Sequence, residues 1–242
     1  MFKQFFICSA LLISTLSAKD SSIAADRASI KEYSSDTRKK LKALEPKDEF
    51  ILNIGQNIDQ DTFAKICSDS PWTTELRTDY GNKNLDSFAP LAKLSELRIF
   101  KVMKWEKSEE TAIDLSPLSE LIEMEEANFY ATRVTNTQAL NKLTKLKKLS
   151  FYMSAIDDLS FLANTKDLEE LSLYGYKHTF KDYASLASLS KLKKLDTYMN
   201  PQATDKNMQV FSNLTALENF SSSNNKSITH VDFLNNTKNL RK

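Results

Sequence analysis

Few residues in this 242-residue chain are equipped to make or break bonds. The two histidines, His178 and His230, fall in different parts of the chain, and neither has a cysteine or carboxylate set completing a metal-ligand spacing. His178 lies in the stretch 176–183 and reads as an exposed loop imidazole. Cys67, in DTFAKICS, reads as a small core residue rather than a reactive thiol. No nucleophile elbow of the G-x-S-x-G kind is present, and three glycines leave no phosphate-cradling loop. The expectation is no catalytic residue, no metal, no cofactor, and hence no enzyme. The patterned chemistry is contact chemistry. Phe100, Tyr130, Tyr152, Tyr174 and Tyr198, followed by Ser223, recur at regular spacing, each directly after an inward-pointing position of a repeat.

That repeat is clearest where KLKKLSFY returns as DLEELSLY. Leu146, Leu149 and Phe151 recur 22 residues later as Leu168, Leu171 and Leu173. An L-x-x-L-x-L unit with a period in the twenties marks a solenoid of leucine-rich repeats. Each unit lays one short strand beside the next, with its leucine positions turned into a shared core. Residues between and after those positions then face solvent, about 4.8 Å from their counterparts on the next strand. The aromatic series becomes a stripe along the concave face. Tyrosine is enriched at interfaces, so the stripe reads as a partner-contact surface. The competing reading is a ladder of rings that only shield one another. Arg98 and Asn128, between leucine positions of their strands, belong to the same candidate surface. Trp105, in the charged insertion KWEKSEET at 104–111, and Tyr176 add rim contacts.

The second leucine position runs Leu76, Leu97, Ala127, Leu149, Leu171, Leu195 and Phe220, and the third runs Thr78, Ile99, Phe129, Phe151, Leu173, Thr197 and Ser222. A second signature, such as Ile113-Asp-Leu-Ser-Pro-Leu118, keeps the same period on the return path. Residue pairs before the second position alternate in charge: Glu125–Glu126, Lys147–Lys148, Glu169–Glu170 and Lys193–Lys194. Alternation turns repulsion at strand spacing into pairing.

A repeat of L-x-x-L-x-L followed by I-x-D-L-S-P-L resembles the short bacterial leucine-rich repeats of the internalin type, over roughly residues 50–242. The resemblance implies an α/β-type repeat solenoid with a parallel β-sheet on the concave face, short helical, 3-10 or irregular convex segments, and a helical N-terminal cap. The Asn usual on the turn after the strand stands at Asn57, Asn200 and Asn225, whereas Thr132, Ser154 and Tyr176 replace it on the middle rungs. No cell-wall sorting sequence follows the repeats, so surface anchoring is not implied.

The remaining organisation follows from composition. Lys3 and the apolar run Phe5–Leu16 read as a secretory signal over residues 1–18, cut after Ala18, with a site near Ala24–Ala25 as second choice. The run is too short to span a bilayer. Residues 19–48 form a polar leader, either a helix over about 26–45 ended by Pro46 or a flexible segment. Residues 49–72 supply a capping strand, taken as the first, and a helix over Thr62–Cys67. Residues 73–242 hold about seven rungs, the last incomplete, so the final rung is either covered by a partner or cut short. After signal removal one cysteine remains and no internal disulfide can form. The 33 basic and 32 acidic residues leave no basic surplus for nucleic acid.

The expectation is an exported, non-catalytic binding module, acting at a host or other surface. Its ligand would be a protein, peptide or glycan, with no nucleic acid, no membrane span and a monomeric state. Alternatives are an assembly subunit pairing through its open C-terminal edge, or the repeat scaffold of a larger enzyme or effector.

Overall fold

A computed structural model describes residues 21–46, 48–103 and 112–241. The strands in chain order are β1 (Ser22–Ile23), β2 (Arg27–Ile30), β3 (Ile51–Ile54), β4 (Glu75–Thr78), β5 (Ile99–Met103) and β6 (Ala112–Asp114). They continue as β7 (Glu126–Tyr130), β8 (Arg133–Thr135), β9 (Lys148–Ser150), β10 (Glu170–Ser172), β11 (Lys194–Asp196) and β12 (Asn219–Ser221). Two helices, α1 (Ser35–Lys42) and α2 (Gln60–Asp69), follow β2 and β3. The principal sheet has 10 strands in the order β1-β2-β3-β4-β5-β7-β9-β10-β11-β12, and only β1 runs antiparallel to its neighbour. A second sheet pairs β6 with β8.

From β4 onward each rung returns over the convex side through a 3-10 turn, as at Ser116–Glu120, Thr137–Lys142 and Ser160–Asn164. Pro90 and Pro117 sit at the start of two such turns, where a missing N–H leaves no partner unsatisfied. Between sheet and turns lies one continuous core. The first leucine position (Leu97, Met124, Leu146, Leu168, Leu192, Leu217) is wholly buried on every rung from β5 to β12. Full burial of each such side chain contributes about 1.5–3 kcal/mol. No rung could obtain that alone, which is why the units stack.

Two sequence expectations need correction at the N-terminal end. Residues 27–30 are a strand, not the start of a helix over 26–45, and helix occupies only Ser35–Lys42. RASI buries Ala28 and Ile30 on alternate positions and pairs in parallel with β3, so β3 is not the first parallel strand. Ser34 caps α1 by accepting the Thr37 N–H, and Asp59 caps α2 by accepting that of Thr62. The two helices are linked through Asp69, which accepts from Arg38 Nε at 2.7 Å and from the Tyr33 hydroxyl at 2.9 Å. Phe63, Ile66 and Cys67 of α2 are buried, and burial pushes the Cys67 thiol pKa up.

The third correction concerns β5. Its register pairs Leu76 with Phe100 and Phe100 with Ala127, so Phe100, not Leu97, holds the second position and Val102, not Ile99, the third. The backbone sets this register. Arg98 and Ile99 both donate to Thr74 O, as Glu125 and Glu126 both donate to Arg98 O one rung on.

Candidate functional site

The outward residues of the sheet form rows across successive rungs. One row follows the third inward position: Gly55, Asp79, Met103, Tyr130, Tyr152, Tyr174, Tyr198, Ser223. Just beyond it, from Tyr130 to Ser223, the chain turns through a residue of positive φ on each rung: 52° at Ala131, 55° at Met153, 139° at Gly175, 56° at Met199 and 60° at Asn224. The turns carry a ladder of their own. The N–H of Ala131 donates to Tyr152 O, Met153 to Tyr174 O, Gly175 to Tyr198 O and Met199 to Ser223 O, at 2.7–3.1 Å. The tyrosine backbones are therefore held at strand spacing, and the rings follow. Tyr130 and Tyr152 stack at 5.3 Å between centroids, Tyr152 and Tyr174 at 4.2 Å, Tyr174 and Tyr198 at 4.8 Å, all within 12° of parallel. Each ring is half-buried. Gly175 has a second reason to be glycine: a Cβ there would lie 3.1 Å from Met153 Cα.

Stacking has a chemical consequence. The ring faces are spent on one another, so the row presents a ridge of edges and hydroxyls. Burial, with the Tyr174 hydroxyl beside it, pushes the Tyr152 pKa up to about 12, and the Asp196 charge adds to the rise. The Tyr152 hydroxyl is thus neutral at physiological pH and can donate a hydrogen bond. At one end Asn224 Nδ2 donates to the Tyr198 hydroxyl at 2.6 Å.

Beside the ridge runs a floor of small side chains: Asn128, Ser150, Ser172, Asp196 and Ser221, in register across β7 to β12. The opposite wall is the charged row Glu126, Lys148, Glu170 and Lys194. It alternates as the sequence indicated, with Lys194–Glu170 at 3.0 Å and Lys148–Glu170 at 3.8 Å. The outermost row pairs likewise, Lys147–Glu125 and Lys193–Glu169 each at 2.7 Å and Arg241–Glu218 at 2.8 Å. Such exposed pairs contribute about 0–1 kcal/mol each. Ridge, floor and wall make a trough across the concave face.

The expected contact residues divide among five environments. Tyr130, Tyr152, Tyr174 and Tyr198 form the ridge, and Asn128 lies in the floor. Phe100 is no part of the row. It is fully buried, 4.9 Å from the Phe88 ring centroid, because of the register of β5, and Met103 holds its place beside Tyr130. Arg98 lies toward the N-terminal rungs, paired with Glu49 at 3.2 Å. There it lines a depression of about 230 Å³ with Ile51, Ile99 and Lys148. Tyr176 is 54% exposed on the rim, next to the ridge in sequence but outside the stack. Trp105 and its insertion lie outside the described residues, as does the segment 1–18.

His178 overturns its reading as an exposed loop residue. It is 2% exposed, against the Phe180 ring and the carbonyls of Leu173 and Tyr174, with neither imidazole nitrogen hydrogen-bonded. Burial lowers its pKa to about 4. Tyr176 points outward, and the buried polar residue of this turn is His178, which donates no hydrogen bond. The corresponding places hold Ser154, donating to Phe129 O at 2.7 Å, and Asn200, donating to Leu173 O at 3.3 Å. Near the N-terminus Asn82, not Asn57, fills the role, donating to Gly55 O at 3.0 Å.

Sequence reasoning passed over Met103, Met153 and Met199 along the rim, and Asp196 in the floor. The dipeptide Tyr-Met, present at 152–153 and 198–199, carried the first signal. Among the described residues no group of His, Cys, Asp and Glu is placed to hold a metal, and no helix is long and apolar enough to cross a membrane.

A parallel sheet on the concave side with 3-10 turns behind it defines a leucine-rich repeat solenoid. Solved structures with this architecture include two internalins of Listeria monocytogenes. InlF aligns with a TM-score of 0.68 at 21% identity, over 86% of this chain and 56% of its own. Internalin C2 aligns with a TM-score of 0.64 at 20% identity, over 84% and 81%. InlP, from the same organism, aligns with a TM-score of 0.59 at 16% identity, over 84% and 56%. The chain thus spans about half the length of InlF and of InlP. No family model matches the sequence, and no curated protein matches it.

Proposed function

We propose that this chain is an exported, non-catalytic interaction module that engages a protein partner through its concave face, with the ridge Tyr130–Tyr152–Tyr174–Tyr198 at the centre of contact. The observation that carries this is the ridge itself: four stacked half-buried rings, flanked by Met103, Met153 and Met199, on a sheet face whose other outward residues from β7 to β12 are polar. Tyrosine gives broad contact area at small entropy cost, and methionine adapts to irregular partner surfaces. The internalin-type fold supports a scaffold for interaction, and the apolar N-terminal run supports export. A glycan is the weaker reading, because sugar rings stack on open aromatic faces and here the faces meet one another.

The test is a capture experiment with proteins from the natural surroundings of the chain, followed by a measured affinity for each captured partner. Replacing Tyr130, Tyr152 and Tyr174 together by Ser is expected to remove capture while the circular dichroism of the repeats persists. Unchanged affinity in a folded variant would refute the proposal.

A further inference from the structure

We infer that the trough contains a subsite for a cationic side chain, anchored by Asp196, and that the segment recognised is a polypeptide presenting a lysine or arginine to β11. This rests on the concave face being the contact surface.

The charge pattern of the face singles out one residue. Each carboxylate of the two charged rows has a cation: Glu125 has Lys147, Glu126 has Lys101, Glu169 has Lys193, Glu170 has Lys194, Glu218 has Arg241. Toward the N-terminus Glu75 has Arg77 and Lys101, and Asp79 feels the charge of Lys31. Asp196 has no ion pair among the described residues, and no cation contributes to its protonation balance. Yet it stands in a floor otherwise made of Asn and Ser.

Its setting is defined. The Tyr198 N–H donates to Oδ1 at 2.9 Å and the Ser221 hydroxyl lies beside the carboxylate, which fixes its direction. On the neighbouring strand Ser172, its register partner, has a buried hydroxyl with no hydrogen-bond partner. Tyr174 and Tyr198 wall one side, and the aliphatic stem and pair of Lys194–Glu170 wall the other. Burial raises the carboxyl pKa, and the hydrogen bonds from the Tyr198 N–H and the Ser221 hydroxyl offset that only in part, with no cation to complete it. A lysine or arginine from a partner would offset the rest, and the tyrosine hydroxyls offer oxygens for its remaining N–H groups. A neutral glycan brings no cation. A metal ion would need several oxygen ligands, and one carboxylate cannot supply them.

A displayed library of random twelve-residue peptides, selected on the full chain, tests the assignment. Binding of the selected peptides is then measured on wild type, on Asp196→Asn, on Asp196→Ser, and on the triple Tyr→Ser variant. Asp196→Ser introduces the residue that neighbouring rungs already hold there, so its fold is secure. The expected result is one Lys or Arg at a constant place in the selected peptides. Affinity should fall at least about 30-fold on either Asp196 variant, and replacing that Lys or Arg by Met should cost as much on wild type and nothing further on Asp196→Asn. Selected peptides without a constant basic residue, or binding that survives both Asp196 variants within about threefold, overturn the subsite. If such peptides still lose binding on the triple tyrosine variant, the concave-face reading stands. If nothing is selected, or selected peptides ignore both kinds of variant, subsite and face fail together. Binding confined to neutral glycans on a parallel array also overturns the subsite.

Discussion

Two aromatic rows lie one residue apart in this molecule, on opposite sides of one sheet. Phe129 and Phe151 stack inside at 5.3 Å and 12°, and Tyr130 and Tyr152 stack outside at 5.3 Å and 10°. The geometry is nearly the same because the strands impose it. The surroundings differ: the phenylalanines are fully buried within the core, whereas the tyrosines are half-exposed above a polar floor. An identical stacking arrangement therefore sustains the fold in one row and is available to a partner in the other.

The largest effect should separate the rows directly. Phe151→Ala removes a fully buried ring and is expected to cost about 3–5 kcal/mol in urea unfolding. Tyr152→Ala loses two cross-strand neighbours and should cost about 0.4–2 kcal/mol. Equal losses would mean that the outer row is a second core.

His178 sharpens the contrast, being a polar group on the inner side of the tyrosine turn. Its pKa falls from 6.5 to about 4 on folding. The unfolded chain then binds the extra proton first, so stability is fully present above pH 6.5 and declines as pH falls toward 4. The loss should be of order 3 kcal/mol for this residue. In His178→Gln the part of the acid slope belonging to this window should vanish, as read from unfolding midpoints at pH 7, 5.5 and 4.5. An unchanged slope would contradict the buried placement.

Gly175 tests whether the outer row depends on its turn. Gly175→Ala forces a side chain onto φ 139° and against Met153, at an expected cost of about 1–3 kcal/mol. Tyr174 fluorescence and near-ultraviolet dichroism should change with it. The smallest effect belongs to the floor. Asp196 has a raised pKa in the fold, so the contribution to stability associated with its protonated form is present below about pH 4 and is lost as pH rises through the folded value. Asp196→Asn should therefore melt slightly higher than wild type at pH 7, and the gain should disappear in acid. A lower melting temperature at pH 7 would show that the carboxylate has a cationic partner within the chain.

Much of this was legible in the sequence, because fully buried leucines on a 22-residue period admit few other folds. The tyrosine ridge from 130 to 198 was legible for the same reason. Phe100 was misplaced because Leu91, Leu94, Leu97 and Phe100 are evenly three apart, so the motif can slide by three without losing an apolar residue. Only the backbone bonds to Thr74 decide its register. Strand β2 escaped notice because four residues give just two alternations, whereas the Ser34 cap of α1 lies close by and favours helix. His178 was misread because Tyr176 occupies the expected place in sequence, and the burial of a residue two further on depends on how the turn closes. Asp196 was open to detection, since LSFY and LSLY become LDTY there, and a charge replacing serine in a floor position is a signal in itself.

The most direct test of the central claim is the affinity of a captured protein partner for wild type and for the Tyr130→Ser, Tyr152→Ser, Tyr174→Ser variant, measured side by side with thermal unfolding. The account predicts that the variant stays folded, melts only modestly lower, and loses binding by at least about 100-fold, the scale of an interface centre. A folded variant that binds the partner as wild type does would place the contact elsewhere and leave the tyrosine row as packing alone.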